Sequence, residues 1–156
     1  MTLLTSSLPA RVVLICGPPC SGKTTLAAEL ASEGDVVLDF DAIARDLGSP
    51  DRWMHAEPFR SRAERRMREL IRRLPGSAPG TAYVIRSVPR PEHRAITAKS
   101  IKAEAVYVLD PGQSECRRRA EADGRPVSTL ESIAAWYEAY RSWSGDNEPT
   151  GRSVKK

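Results

Sequence analysis

Gly17-Pro18-Pro19-Cys20-Ser21-Gly22-Lys23-Thr24 follows directly on the apolar run RVVLIC, residues 11–16. The octapeptide matches G-x-x-x-x-G-K-[ST] at every fixed position. Each part has a physical task. The glycines let the backbone curl so that successive N–H groups converge on phosphate oxygens. A helix opening at Gly22 turns its positive N-terminal end toward the same anion. The stretch predicts a strand, a phosphate loop and a helix over 22–33. Gly17, Cys20, Ser21, Gly22, Lys23, Thr24 and Thr25 are the expected nucleotide-binding residues. In such a loop the lysine reaches the β- and γ-phosphates of ATP and the Thr24 hydroxyl ligates Mg²⁺.

Working outward, three more short apolar runs appear: VVLDF at 36–40, AYVIRSV at 82–88 and AVYVL at 105–109. Continuous apolar strands separated by helical patterns indicate a parallel sheet covered on both faces. The expected fold is therefore α/β, three layers around a parallel sheet of about four strands. Over 57–74, Phe59, Ala63, Met67, Leu70 and Leu74 recur at three- or four-residue steps and predict one buried helical stripe. Pro75-Gly76 stops that helix, and 75–81 reads as a connector. Further helices are expected over about 91–99 and 112–122. Ser128 and Glu131 have capping-box spacing, which predicts a last helix from 128 to about 143. Its aromatic residues Tyr137 and Tyr140 are expected to pack with Ile133. The polar stretch from Gly145 onward is expected to fray.

With 156 residues the chain has room for one domain, with a core over about 11–143 and a polar tail over 145–156. Apolar residues make up 40% and charged residues 28%, values of a globular protein rather than a disordered one. No apolar run approaches the roughly 20 residues that span a bilayer, and the first ten residues lack a secretory pattern. Both point to the cytoplasm and away from a membrane partner. Cys16, Cys20 and Cys116 are too few and too irregular for a disulfide framework. Only His55 and His93 could join them, so no zinc-ligand spacing exists. The net charge of +4 favours an anionic partner.

The second apolar run ends Asp39-Phe40-Asp41. On an extended strand these two carboxylates share a face, about 7 Å apart, at the carboxyl edge where open α/β sheets bind ligands. Asp41 also precedes the helical stretch AIARDL, where it is able to serve as an N-cap. The third run ends Ile85-Arg86-Ser87, without the carboxylate that many phosphate-loop proteins place there for Mg²⁺. Asp39 or Asp110 is left for that task; Asp110 precedes a proline and reads as a turn former. Arg86 is a cation at the sheet edge, suited to a substrate or γ-phosphate.

Together these features resemble the small phosphate-loop kinases of the polynucleotide kinase group, which in turn resemble zeta toxins and small-metabolite kinases. The resemblance runs from residue 11 to about 143. It implies that Asp41 accepts the proton of the acceptor hydroxyl, with Asp39 as the alternative base or as a Mg²⁺ residue. The family places an arginine about three residues after that aspartate; Arg45 lies four residues on. The helix SECRRRAEADGRP resembles the family's arginine-rich lid, with Arg119 and Arg125 in the lid positions that close over the phosphates. The V-I-R-x-x-P element at Val84 to Pro89 resembles phage-encoded kinases of the group.

The resemblance implies γ-phosphate transfer from ATP to a hydroxyl on DNA or another polynucleotide, either a 5′-hydroxyl or a hydroxymethylated base. Arg65, Arg68 and Arg72 share a helix face that is able to track a phosphate backbone. Trp53 is a stacking candidate beside it. A kinase of a free nucleotide or small metabolite is the alternative reading. A non-catalytic ATP-binding regulatory protein is a third, from another class.

Overall fold

The computed structural model describes residues 11–74 and 80–147. The central strand, β1 (Arg11–Cys16), is flanked by β3 (Thr81–Arg86) on one side and β4 (Ala105–Val108) on the other. A short β2 (Val36–Leu38) extends the sheet beyond β3, and the two-residue β5 (Asp146–Asn147) extends it beyond β4. All pairings are parallel; Val13 lies opposite both Tyr83 and Ala105. The four strands read from the sequence are all present, and β5 adds a fifth.

Six helices complete the described chain: α1 (Lys23–Leu30), α2 (Phe40–Asp46), α3 (Phe59–Arg73), α4 (Pro91–Ser100), α5 (Gln113–Ala122) and α6 (Val127–Ala139). Alternation along β1 explains the three layers. Val12, Leu14 and Cys16 face one core, built with Ile43 and Ala44 of α2, Ala63 and Met67 of α3, and Ala98 of α4. Val13 and Ile15 face the other, against Leu26 and Ala27 of α1. Successive strand side chains point to opposite faces, so a strand buried on both sides must be apolar throughout. The predicted α3 stripe is correct: Ala63, Met67 and Leu74 are buried and Phe59 and Leu70 are half-buried. A third, smaller cluster joins Cys116 and Ala120 of α5 to Ile133 of α6.

Several local expectations change. β2 stops at Leu38, so Asp39 and Asp41 do not alternate on a strand. Asp39 is instead the N-cap of α2, and its carboxylate accepts the Asp41 N–H. Asp41 therefore sits inside the first turn rather than at the cap. The Ser128–Glu131 capping box does not form, because α6 begins one residue earlier, after Pro126. Ser128 Oγ donates to Met54 Sδ at 2.9 Å instead. In α6 the fully packed aromatic is Trp136, 3% exposed, whereas Tyr137 and Tyr140 are half-buried. All three cysteines are free thiols, two of them buried. Pro75-Gly76, most of the connector and the tail from 148 lie outside the described residues.

The stretch after Gly145 does not fray at its start. Arg94 of α4 is completely buried. Its guanidinium donates to both Asp146 oxygens, at 2.9 and 2.8 Å, and to the carbonyls of Val88, Pro89 and Arg141. Asp146 also accepts the Trp143 N–H. A buried cation is tolerated when every donor is paired, and removing its counter-charge leaves an uncompensated ion. Asp146→Ala is expected to destabilise the protein by about 3–5 kcal/mol, the usual cost of breaking a buried pair. Urea unfolding followed by circular dichroism measures this; an unchanged midpoint would remove Arg94–Asp146 as the clamp on the C-terminal segment.

Candidate active site

The loop between β1 and α1 has the backbone its sequence requires. A Cβ on Gly17 would lie 2.6 Å from Ser21 Oγ and 2.9 Å from the Leu109 carbonyl, closer than real Cβ atoms come, so only glycine fits. Cys20 has φ 63° and Gly22 φ 94°, both left-handed, and they turn the chain into α1. Ser21 Oγ is buried and has no hydrogen-bond partner among the described residues. Buried polar groups are nearly always paired. An orphaned hydroxyl inside this loop fits a cradle shaped for polar oxygens.

Lys23 Nζ donates to the carbonyls of Gly17 at 2.8 Å and Pro18 at 2.7 Å, which folds the side chain back over the loop. Burial pushes the Lys23 ammonium down to about 8, against the pull of Asp39 and Asp41. Thr24 Oγ1 donates to Asp39 Oδ2 at 3.1 Å. A hydroxyl and a carboxylate meeting at the start of α1 are hard oxygen donors of the kind Mg²⁺ takes, with phosphate and water oxygens completing its shell. Asp110 takes the other course open to it: it accepts from Tyr137 Oη at 2.8 Å and does not line the cleft.

The cleft around the loop has a volume of about 940 Å³. Beyond the loop it is lined by Asp39, Asp41, Trp53, Glu64, Arg86, Arg119 and Arg125. These come from α2, the segment after it, α3, β3 and the α5–α6 pair. Arg119 Nη1 donates to the Cys20 carbonyl at 3.2 Å, tying α5 to the loop. Arg125 lies over the Trp53 ring at 4.7 Å and bonds Asp123. Arg86 faces Glu64 at 3.7 Å. Arg117 and Arg118 are exposed, and Arg118 pairs with Glu115 on its own helix.

Not every residue chosen from sequence reaches this cleft. Arg45 donates to the Arg52 carbonyl at 3.3 Å and is exposed outside it. One helical turn keeps it on the Asp41 side of α2, but its guanidinium is taken up by the Arg52 carbonyl outside the cleft. Arg65 lines a shallower neighbouring groove with Phe40, Glu57, Arg60, Ser61 and Arg68. Trp53 does reach the cleft, but its ring carries two guanidinium groups, Arg52 and Arg125, each 4.7 Å from the centroid. It braces the cleft rim rather than standing as an open stacking platform.

Sequence reasoning missed His55. Its side chain is 1% exposed, and its Nε2 lies 2.9 Å from Asp41 Oδ1. Asp41 is raised above its ordinary value, chiefly by burial and further by Asp39, with the His55 bond opposing. No spacing rule joins two residues 14 apart across an irregular segment; the only signal was a histidine without a metal set.

Comparison with known proteins gives the same architecture. A family model described as an AAA domain matches residues 13–135. The chain belongs to this AAA domain family. No curated protein sequence matches it. Among solved structures, a chain of the Pnkp1/Rnl/Hen1 RNA repair complex is similar with a TM-score of 0.67 at 12% identity over 95% of this chain; the match spans 51% of that longer chain. The APS kinase CysC of Mycobacterium tuberculosis, in complex with AMPPNP and APS, is similar with a TM-score of 0.56 at 19% identity over 94% of this chain and 91% of that one. A sugar kinase from Janibacter sp. HTCC2649 is similar with a TM-score of 0.54 at 22% identity, covering 90% of this chain and 84% of that one. The α/β fold is thus that of phosphate-loop kinases. No helix among the described residues is long and apolar enough to cross a membrane.

The lowered Lys23 value has a measurable consequence. Bound polyphosphate favours the ammonium and should restore its ordinary value. ATP binding is therefore expected to take up a fraction of a proton around and above pH 8, where free Lys23 has lost about half of its charge or more. Affinity should fall as pH rises through that window. Titration calorimetry at pH 9 in buffers of different ionisation enthalpy measures the uptake, and Lys23→Gln should abolish it. Equal apparent enthalpies in all buffers for the wild type would contradict the assignment.

Proposed function

We propose that the chain is an ATP-dependent kinase that transfers the γ-phosphate to an alcohol hydroxyl, with DNA or another polynucleotide as the acceptor. The observation that carries the reading is the position of Asp41. A carboxylate raised by burial faces the same cleft as the complete phosphate loop. A switch protein has no use for a base there; a hydroxyl kinase does.

In this reading the acceptor oxygen attacks the γ-phosphorus, and its proton passes to Asp41. The bond from the γ-phosphorus to the β–γ bridging oxygen breaks, and ADP leaves with that oxygen. Lys23 holds the β- and γ-phosphates. Arg119 and Arg125 stabilise charge as it spreads over the transferring group. Thr24 and Asp39 would hold Mg²⁺, which neutralises phosphate charge when bound.

A polynucleotide acceptor is supported by the exposed arginines Arg65, Arg68 and Arg72 on α3, the first two of which line the groove next to the cleft. The fold shared with the RNA repair complex chain agrees with it. A specific observation favours a second reading, a free nucleotide or small-metabolite acceptor. Part of the α3 charge is already paired, Arg60 with Glu57, Arg66 with Glu69 and Arg68 with Glu64. The two solved kinases cited above, of APS and of a sugar, share the fold.

The deciding experiment is transfer of label from γ-labelled ATP across 5′-hydroxyl DNA and RNA, hydroxymethylpyrimidine DNA, nucleosides and sugars. Label on DNA, with binding that weakens steeply as salt rises, supports the first reading. Label on a small molecule supports the second, and label on none of them removes the kinase reading. Asp41→Asn is expected to lower kcat by about 10²- to 10⁴-fold, the usual worth of a positioned base, with ATP affinity nearly unchanged. Asp39→Asn should be partly rescued by raised Mg²⁺ or by Mn²⁺, and Asp41→Asn should not. The reverse rescue pattern would exchange the two roles.

A further inference from the structure

His55 is one of few buried polar residues among the described residues, and neither of its ring nitrogens bonds a backbone group there. Nδ1 lies 2.8 Å from Ser49 Oγ, and Nε2 lies 2.9 Å from Asp41 Oδ1. The ring is further fixed by Phe40, edge-on at 5.9 Å and 66°. Ser49 is itself 7% exposed, and its Oγ accepts the Asp51 N–H at 3.4 Å. The ring thus has both ends tied and one face packed. A histidine that only filled space would have no reason to spend its second nitrogen on a carboxylate that faces the cleft.

The partner makes the difference. An ionised carboxylate only accepts, so Nε2 carries the proton of this bond. The Asp41 side chain is 39% exposed and lines the cleft. With Oδ1 held from behind, Oδ2 makes no hydrogen bond among the described residues. One oxygen is anchored and the other is presented. The neighbouring carboxylate is spent differently: Asp39 Oδ1 caps α2 through the Asp41 N–H, and Asp39 Oδ2 takes the Thr24 hydroxyl.

We infer that His55 is a positioning residue: bonded through Nε2 to Asp41 Oδ1 and braced through Nδ1 by Ser49, it aims Asp41 Oδ2 at the acceptor hydroxyl. The inference rests on the proposed role of Asp41 as the base. Without the Nε2 bond, Asp41 Oδ1 has no side-chain partner among the described residues, and the carboxylate is free to turn away from the orientation that presents Oδ2 to the cleft.

Two readouts test this. The first needs no acceptor: nitrogen-15 NMR of the His55 ring, assigned with His55→Gln. The wild type should show a downfield, slowly exchanging proton on Nε2, which Asp41→Ala removes and Ser49→Ala leaves in place. The second is kcat and KM with γ-labelled ATP and whichever acceptor of the panel takes label. At pH 7, His55→Phe, which keeps a buried ring without a donor, should lower kcat by about tenfold or more with KM for ATP within about twofold. His55→Gln should recover most of kcat, and Ser49→Ala should give a smaller loss of the same kind. In the Asp41→Asn background, His55→Phe should cost nothing further, because the two act as one unit. Folding is checked by near-UV circular dichroism; where His55→Phe does not fold, His55→Gln and Ser49→Ala carry the comparison. A His55 Nε2 proton signal indifferent to Asp41 overturns the inference, as does an additive kcat loss in the double variant. A wild type that labels no acceptor overturns the kinase reading alone, and the NMR arm still decides the positioning.

Discussion

One carboxylate ties the sheet to the phosphate loop. Asp39 stands where β2 ends, with one oxygen on the Asp41 N–H and the other on the Thr24 hydroxyl. The first bond satisfies a donor at the start of α2 that has no partner within the helix. The second joins α1 to the neighbouring strand. Because both bonds belong to one planar group, the helix that carries Asp41 and the loop that carries Lys23 keep a fixed relation. The rest of the cleft is arranged around that relation. Asp41 falls in the first turn of α2, His55 closes behind it, and Glu64 and Arg86 face it from α3 and β3.

The parallel sheet makes such a bridge possible. In parallel strands every carboxyl end lies at the same edge, so residues distant in sequence meet there. β1 delivers the loop, β2 delivers Asp39, and β3 delivers Arg86. The α5–α6 pair then reaches across the same edge. It meets the loop through the Arg119 bond to the Cys20 carbonyl and the packing of Cys20 on Cys116, Ala120 and Ile133, and the opposite rim through Arg125 over Trp53 and Ser128 on Met54.

Charge is distributed unevenly within the site. Lys23 is buried enough to lose part of its hold on its proton, and Asp41 is buried enough to keep its own more readily. Opposed shifts in one cleft follow from a common cause, since a low-dielectric setting penalises either charge. Bound phosphate would reverse the first, and the His55 bond already works against the second. The α3 face is less strongly charged than a count of arginines suggests, because Glu57 just before the helix and Glu64 and Glu69 on it pair with three of them.

The sequence by itself determined the phosphate loop, the α/β class and the stripe of α3. These are local: a glycine at each tight turn, an apolar run for each buried strand, and a three-to-four-residue period for a helix on a core. It also singled out Asp39 and Asp41, though as neighbours on a strand rather than as a cap and a first-turn residue, because where β2 yields to α2 depends on a cap that competes with continued pairing. Only the tertiary structure decided which arginines face the cleft. Arg45 and Arg65 carry the right charge, but Arg45 is taken up by the Arg52 carbonyl and Arg65 lines the neighbouring groove, and no local pattern fixes either outcome. His55, Ser49 and the Arg94–Asp146 clamp were illegible for a related reason. Each joins residues whose meeting depends on how irregular segments pack, whether 6 or 14 residues apart as at His55 or 52 apart as at Arg94, and a buried polar group shows its partner only once the chain has folded around it.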